Sequence, residues 1–130
     1  MHILTIRTDK PDSEIGLFQD DRKIDYIEWS AHRHLAETIH LKIKAMLDNH
    51  DMTIQDVEGI VIYKGPGSFT GLRISISLAN ALASSLEVPI VGESNEEWLS
   101  AGLKRLVAKE NDHQVIPIYG GDPHITLPRK

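Results

Sequence analysis

A glycine-rich segment at residues 65–71, Gly-Pro-Gly-Ser-Phe-Thr-Gly, has the residue types and spacing best suited to a chemical task. It follows an apolar run of strand length and precedes a long stretch with helical periodicity. The unpaired N–H groups and the dipole at the start of a helix favour a bound anion, so phosphate contact is one interpretation. The other is a tight turn in which Ser68 or Thr70 caps the helix, and the residues by themselves favour this second interpretation.

Three well-known functional motifs do not match this loop. A Walker A loop would end in Gly-Lys-Ser or Gly-Lys-Thr, which the segment lacks. A dinucleotide-binding fingerprint needs a glycine where Thr70 stands. A nucleophile elbow places its serine in the middle of Gly-x-Ser-x-Gly, whereas Ser68 directly follows Gly67. The loop therefore receives no catalytic assignment.

The sequence predicts no metal site and no catalytic residue. His32 and His34 are two residues apart, and His34 and His40 are six apart, so neither pair shares a helix face at ligand spacing. The sequence has no His-Glu-x-x-His pattern and no cysteine, which excludes thiolate ligands and cysteine nucleophiles. Most carboxylates lie at predicted turns and element ends, where solvated acids and helix caps are usual.

The elements around the loop follow an order that is typical of an α/β fold. The predicted strands span residues 2–8, 14–19, 23–30, 58–63 and 88–91, and the predicted helices span 31–49, 70–87 and 94–109. Ser94 and Glu97 have the spacing of a capping box at the start of the third helix. The β-β-β-α-β-α-β order predicts a mixed sheet with flanking helices, in which residues 58–92 form a parallel βαβ unit.

Length and charge narrow the class of protein further. A chain of 130 residues fits one domain, in which residues 1–93 are predicted to form a folded lobe, 94–114 a helix and linker, and 115–130 an extended tail. The formal net charge of −5 disfavours a stand-alone nucleic-acid binder. The sequence shows no apolar run of membrane-spanning length and no signal-peptide layout, so we expect a cytoplasmic protein.

The second predicted helix has more apolar surface than its own sheet requires. Leu72, Ile76, Ala79, Ala83 and Leu86 form one stripe, and Ile74, Leu78, Ala81 and Leu82 widen the apolar arc to roughly 220°. A helix needs an apolar arc of about 100° or somewhat more to cover a sheet. The excess fits either a helix of the same chain or another protein. If a partner docks on the first and second helices, the predicted interface residues are Leu35, Ile39, Ile43, Ile74, Leu78, Ala81 and Leu82.

The segment Gly-Pro-Gly-Ser-Phe-Thr-Gly-Leu-Arg-Ile at residues 65–74 resembles the TsaB (YeaZ) family, whose members are scaffold subunits in bacterial synthesis of threonylcarbamoyladenosine (t6A) at position 37 of tRNA. The flanking strand and the helix at residues 73–88 are similar in order and spacing, and so is the Pro-Ile-Val-Gly-Glu-Ser segment at 89–94. The resemblance is strong over residues 57–94 and weaker elsewhere.

The resemblance implies a fold, a set of partners and a non-catalytic role. The fold would be a single actin-like (ASKHA, ribonuclease H-like) lobe. The partner would be a TsaD-like catalytic subunit in a heterodimer, with a TsaE-like ATPase as a further member and a homodimer as an alternative. The complex would use ATP, threonine and bicarbonate-derived threonylcarbamoyl-AMP, whereas this chain would bind no cofactor tightly and would contact tRNA only indirectly. The motif loop, Gly65, Pro66, Gly67, Ser68, Phe69, Thr70 and Gly71, with Arg73, would be structural or phosphate-contacting.

Two departures from the family pattern leave alternatives open. The strand that usually contains Ile-Asp-Thr in actin-like folds has Ile6-Arg7-Thr8 here, which argues against binding of a metal–nucleotide complex. The second lobe of the family is expected to be missing. A small nucleotide-binding ATPase that uses the loop, and a stand-alone homodimer, are the rival hypotheses; a peptidase is disfavoured because the sequence has no matching triad or metal motif.

Overall fold

The computed structural model describes residues 1–119, with the side chain of His32 excepted. Within them the strands are β1 (His2–Arg7), β2 (Asp12–Gln19), β3 (Arg22–Ser30), β4 (Gly59–Tyr63) and β5 (Ile90–Glu93). The α-helices are α1 (Leu35–Asp48), α2 (Phe69–Leu86) and α3 (Trp98–Val107), and short 3-10 turns occupy His32–His34 and Ile54–Asp56. The predicted β-β-β-α-β-α-β order is confirmed.

The strands form one mixed sheet in the order β3-β2-β1-β4-β5. β1, β2 and β3 are antiparallel neighbours joined by short connections, whereas β1, β4 and β5 run parallel. Parallel neighbours need a crossover, and α2 provides the crossover from β4 to β5. β4 consists wholly of buried residues, as expected for a strand with packing on both faces. The predicted parallel βαβ unit is therefore confirmed.

Helices cover both faces of the sheet. Successive side chains of a strand point to opposite faces, so Ile60 and Ile62 lie on one face of β4 and Val61 lies on the other. α2 packs on the face of Ile60 and Ile62 through its buried residues, Leu72, Ser75, Ile76, Ala79 and Ala83. α3 covers the opposite face so closely that a Cβ atom at Gly102 would come within 2.3 Å of Val61 Cγ1.

The predicted capping box of the third helix is wrong. The helix begins at Trp98, its N-cap Glu97 makes no side-chain cap bond, and the buried Ser94 hydroxyl has no partner among the described residues. Asn95 has a left-handed backbone (φ 71°), so the chain turns before the helix starts rather than entering it at Ser94. A capping box is present instead at Thr53–Asp56, in a 3-10 turn that was not predicted from the sequence.

Residues 108–119 have no helix or strand of their own and are held by side chains of the sheet and helices. Arg105 of α3 bonds to Glu93 at 2.9 Å, to Glu110 at 2.8 Å and to both carboxylate oxygens of Asp112. The Asn80 side chain of α2 then pairs with both the N–H and the C=O of Val115, each at 2.9 Å. Of the predicted extended tail at 115–130, residues 120–130 lie outside the described part. No helix within residues 1–119 is both long and apolar enough to cross a membrane.

The Arg105 cluster predicts a dependence of stability on pH. Burial by itself raises the pKa of the Asp112 carboxyl, but hydrogen bonds from Arg105 and the Gly92 amide outweigh it, and the pKa lies below its usual range. A carboxyl whose pKa is lower in the folded state stabilises above its unfolded pKa, and this stability is lost as the pH falls through the folded pKa. We expect Asp112→Asn to lower the free energy of unfolding by about 1 kcal/mol at pH 7 in urea titrations. The deficit should shrink below about pH 4, and the more exposed Glu110→Gln should cost less at pH 7.

A second prediction concerns the end of α2. Glu87 caps this helix with a left-handed backbone (φ 57°, ψ 49°), a conformation that glycine adopts without steric cost. The left-handed conformation costs a residue with a Cβ atom roughly 1–2 kcal/mol. The entropy that glycine loses on folding offsets part of the relief, so we expect Glu87→Gly to raise the free energy of unfolding by about 0.5–1 kcal/mol in the same titrations. The matched control is Glu87→Ala, which removes the charge but keeps the Cβ atom and should give no gain. An equal gain from alanine would assign the effect to the charge instead.

Candidate functional site

The first half of the glycine-rich loop is packed against neighbouring backbone. Gly65 has a positive φ of 116°, and a Cβ atom there would lie 2.0 Å from the Ile118 carbonyl oxygen. The Gly65–Pro66 peptide bond is cis, and the Tyr63 hydroxyl donates to the Pro66 carbonyl at 2.9 Å. Gly65 therefore lies directly against the segment that ends at Tyr119.

The middle of the loop lies against an ion pair at the end of β1. A Cβ atom at Gly67 would come within 2.4 Å of Asp9 Cβ. Arg7 donates to both Asp9 carboxylate oxygens, at 2.8 and 3.2 Å, and its guanidinium lies 4.0 Å from the centre of the Tyr63 ring. The hydrogen bond to Asp9 raises the pKa of Arg7. Arg7, which departs from the family pattern, thus neutralises the carboxylate two residues further on.

The start of α2 is attached directly to the residue that follows β1. Ser68 is the N-cap, and its hydroxyl accepts from the Gly71 N–H at 3.4 Å, so the predicted capping by Ser68 is observed. Thr8 Oγ1 lies 2.8 Å from the Gly71 carbonyl oxygen and 2.5 Å from Ser75 Oγ. A Cβ atom at Gly71 would lie 2.1 Å from the Thr8 carbonyl oxygen, so the two backbones approach as closely as glycine permits.

A cavity of about 460 Å³ opens between the β1–β2 connection and the first turn of α2. Its lining residues are Thr8, Asp9, Lys10, Pro11, Ser13, Ala31, Arg33, Leu35, Ser68, Thr70, Gly71 and Ile74. Three residues of the predicted motif loop, Ser68, Thr70 and Gly71, line it. Lys10, Ser13 and Arg33 could not be predicted from the sequence, because no local pattern shows that the β1–β2 connection and the residues before α1 meet at the start of α2.

The remaining motif residues lie away from this cavity. Phe69 is 54% exposed, and its ring stacks on that of Tyr119 with 4.6 Å between the ring centres. Arg73 is exposed one turn further along α2, with its guanidinium 5.9 Å from the Phe69 ring centre. Both residues face the segment that follows α3, so they would not contact an anion in the cavity.

A second concave surface lies between α1 and α2, and we call it the helix groove. It has a volume of about 380 Å³ and a largely apolar lining. The lining residues are His40, Ile43, Lys44, Leu47, Asp48, Met52, Thr53, Ile54, Leu78 and Leu82. Lys44 and Asp48 form an ion pair at 2.8 Å on its rim. The surplus apolar arc of α2 is thus only partly covered by α1.

The predicted interface residues divide between the core and the surface. Ile43, Leu78 and Leu82 line the helix groove, and Ala81 is exposed beside it. Ile74 lies in the cavity at the start of α2. Leu35 and Ile39 belong to the core, with 5% and 2% of their surface exposed. Leu35 and Ile39 do not line the helix groove, which is formed by α1 from His40 onward, by the turn after α1 and by α2.

Residues 1–119 contain no group of three histidine and acidic side chains placed to hold a metal ion. Three histidines each lie near one acid: His50 is 2.9 Å from Asp25, His34 is 3.8 Å from Glu37, and His2 is 3.7 Å from Glu58. The polar cavity and the apolar helix groove are the candidate functional surfaces among the described residues.

Comparison with known proteins gives consistent matches. The family model described as TsaD, tRNA N6-adenosine threonylcarbamoyltransferase, matches residues 29–119. A tRNA threonylcarbamoyladenosine biosynthesis protein TsaB from Bacillus subtilis is 39% identical over 102 residues, which cover 78% of this chain and 44% of the relative. TsaB from Escherichia coli is 29% identical over 105 residues, 81% of this chain and 45% of the relative.

The solved structure of YeaZ from Pseudomonas aeruginosa superposes with a TM-score of 0.67 at 26% identity. The match covers 72% of this chain and 44% of the YeaZ chain. This likeness, with the strand order β3-β2-β1-β4-β5, confirms the predicted actin-like, ribonuclease H-like fold. The chain spans about half the length of the relatives that it matches.

The contact between Gly71 and Thr8 predicts that adding one methyl group at position 71 lowers stability. Gly71→Ala places a Cβ atom where the Thr8 carbonyl oxygen lies, so α2 must move away from the end of β1. We expect a loss of about 1–3 kcal/mol in the free energy of unfolding, measured by urea titration. Ser77→Ala, at an exposed position of the same helix, is the control and should change stability by less than about 0.5 kcal/mol. Equal stability of the two variants would show that the contact is not tight.

Proposed function

The chain belongs to the TsaB/YeaZ family, and from this membership we propose that it is a non-catalytic subunit in the synthesis of t6A at position 37 of tRNA. In this role it binds and supports a TsaD-like catalytic subunit, and the substrates are tRNAs that decode ANN codons. The relatives' names support the pathway. The observation that carries the binding role is the helix groove.

The helix groove has the properties of a protein-docking surface. Its floor is formed by Ile43 and Leu47 of α1 and by Leu78 and Leu82 of α2. Leu78 and Leu82 are only half-buried within this chain, so their apolar area is available to a partner. Docking cores are apolar and are rimmed by polar groups, as the Lys44–Asp48 pair rims this groove. A helix or helix pair of a TsaD-like subunit fits such a surface.

The charges of this chain indicate which tasks belong to its partner. The net charge of −5 disfavours strong binding of tRNA by this chain, so the partner would provide most of the phosphate contacts. A metal–nucleotide complex would need a free carboxylate at the end of β1. The carboxylate of Asp9 is there, but it is already paired with Arg7. ATP, threonine and threonylcarbamoyl-AMP are accordingly assigned to the rest of the complex. A TsaE-like ATPase is a further member of the proposed complex, and a homodimer through the helix groove is the competing assembly.

A charge in the helix groove tests this proposal. We expect Leu78→Glu to weaken the complex with the TsaD-like protein of the same organism at least about tenfold, because the carboxylate would lose water without gaining a partner. The measurement is size-exclusion chromatography with light scattering on the full chain, alone and mixed with the partner. Ala81→Glu, at an exposed position of α2, is a second variant that should leave the fold intact.

The matched control is Val107→Glu, which adds the same charge to a half-exposed apolar residue of α3, on the opposite face of the sheet. This variant should bind the partner like the unaltered chain. Unchanged co-elution of Leu78→Glu and Ala81→Glu would contradict docking through the helix groove. If the unaltered chain formed a homodimer that ignored the partner, the heterodimer proposal would fail. t6A formation by the partner with and without this chain would then show whether any supporting role exists.

A further inference from the structure

We propose that the cavity at the start of α2 is a binding site for a phosphate group, carried by inorganic phosphate or by a small phosphate monoester. This proposal concerns a surface separate from the helix groove and does not depend on a partner protein. It rests on three features of the cavity: the helix start, a buried hydroxyl without a partner, and two cationic side chains.

The first feature is the free N–H group of Thr70 at the start of α2. The first intrahelical bond runs from the Leu72 N–H to the Ser68 carbonyl oxygen at 3.0 Å, and the Ser68 hydroxyl accepts from Gly71. The N–H group of Thr70, which lines the cavity, precedes these bonds and therefore has no acceptor within the helix. α2 has 18 residues, so its dipole adds a favourable field for an anion at this end.

The second feature is Ser13 of β2, which points to a ligand independently of the helix. Ser13 is 1% exposed, and its hydroxyl has no hydrogen-bond partner among the described residues. It lines the same cavity as Thr70 and Gly71. A buried hydroxyl without a partner costs free energy, and an oxygen of a bound phosphate would satisfy it.

The third feature is the charge of the lining. Asp9 is the acidic member, and its carboxylate is only 8% exposed and is already paired with Arg7. Lys10 and Arg33 are exposed, and within the described part of the chain neither forms an ion pair. The cavity thus has two uncompensated positive charges, one from the β1–β2 connection and one from the segment before α1. Arginine and lysine form the strongest hydrogen bonds with phosphate oxygens.

The size of the cavity sets the range of ligands. A volume of about 460 Å³ exceeds that of inorganic phosphate and leaves room for an attached sugar or nucleoside. The part of the ligand that the lining recognises is the dianionic phosphate group. Inorganic phosphate and AMP are therefore the probes, and a comparison of their affinities shows whether anything beyond the phosphate is bound.

The experiment measures the melting temperature of the full 130-residue chain against phosphate concentration, with ionic strength held constant by sodium chloride. Ligand that binds only the folded state raises the melting temperature in a saturable way. We expect such a rise with inorganic phosphate and with AMP, and none with chloride alone. Tighter binding of AMP would identify the ligand as a phosphate monoester, and equal binding would identify it as free phosphate.

Three variants test the assigned residues. Lys10→Gln and Arg33→Gln should each weaken the apparent affinity for phosphate about tenfold without changing the melting temperature of the free chain. Ser13→Ala should leave the free chain equally stable or more stable, because the unsatisfied hydroxyl is removed, and yet should reduce the rise given by phosphate. If Ser13 had only a structural role, its replacement would not both preserve the stability of the free chain and reduce the response to phosphate.

The controls remove the same charges elsewhere. Lys104→Gln on α3 and Arg22→Gln at the start of β3 alter exposed cations outside the cavity and should bind phosphate like the unaltered chain. The proposal is overturned if phosphate up to about 10 mM gives no saturable rise. It is also overturned if the cavity variants and the control variants respond to phosphate equally, because the effect would then be general screening of charge.

Discussion

The close approach of Thr8 and Gly71 is the contact on which the functional surfaces of this protein depend. The Thr8 hydroxyl lies within hydrogen-bond distance of the Gly71 carbonyl, and the absence of a Cβ atom at Gly71 lets the two backbones touch. This contact fixes the start of α2 against the end of β1. The rest of the helix then runs across the sheet with Ile76 and Ala79 in the core. A larger residue at position 71 would push the start of α2 away from the end of β1.

One helix thereby serves two separate surfaces. Its first turn forms a wall of the polar cavity, where Thr70 and Gly71 lie beside the β1–β2 connection. Its middle presents Leu78 and Leu82 to the helix groove, where α1 covers them only in part. The two surfaces differ in chemistry because the helix start has unpaired N–H groups, whereas the middle of the helix has none and offers only its side chains. A partner in the groove and an anion in the cavity could therefore act on the same rigid element.

Arg7, at the end of β1, changes the charge of the neighbouring cavity. An arginine at position 7 removes the acid expected there, and its guanidinium pairs with Asp9 and stacks on the Tyr63 ring. The pairing neutralises Asp9, so the positive charges of Lys10 and Arg33 dominate the lining of the cavity. The missing acid argues against a metal–nucleotide complex, because no free carboxylate is left to bind the metal. The net positive charge of the cavity favours a phosphate group without a metal.

The sequence by itself determined the type and order of the elements, because strands and helices have different apolar periods that can be counted along the chain. It also located the glycine-rich loop, the cap at Ser68 and the surplus apolar arc of α2, all of which are local patterns. Only the tertiary structure decided that Ser94 does not cap α3. It alone brought Lys10, Ser13 and Arg33 to the start of α2, where they share one cavity with Thr70 and Gly71. These outcomes depend on contacts between residues far apart in sequence, which no local period or spacing encodes.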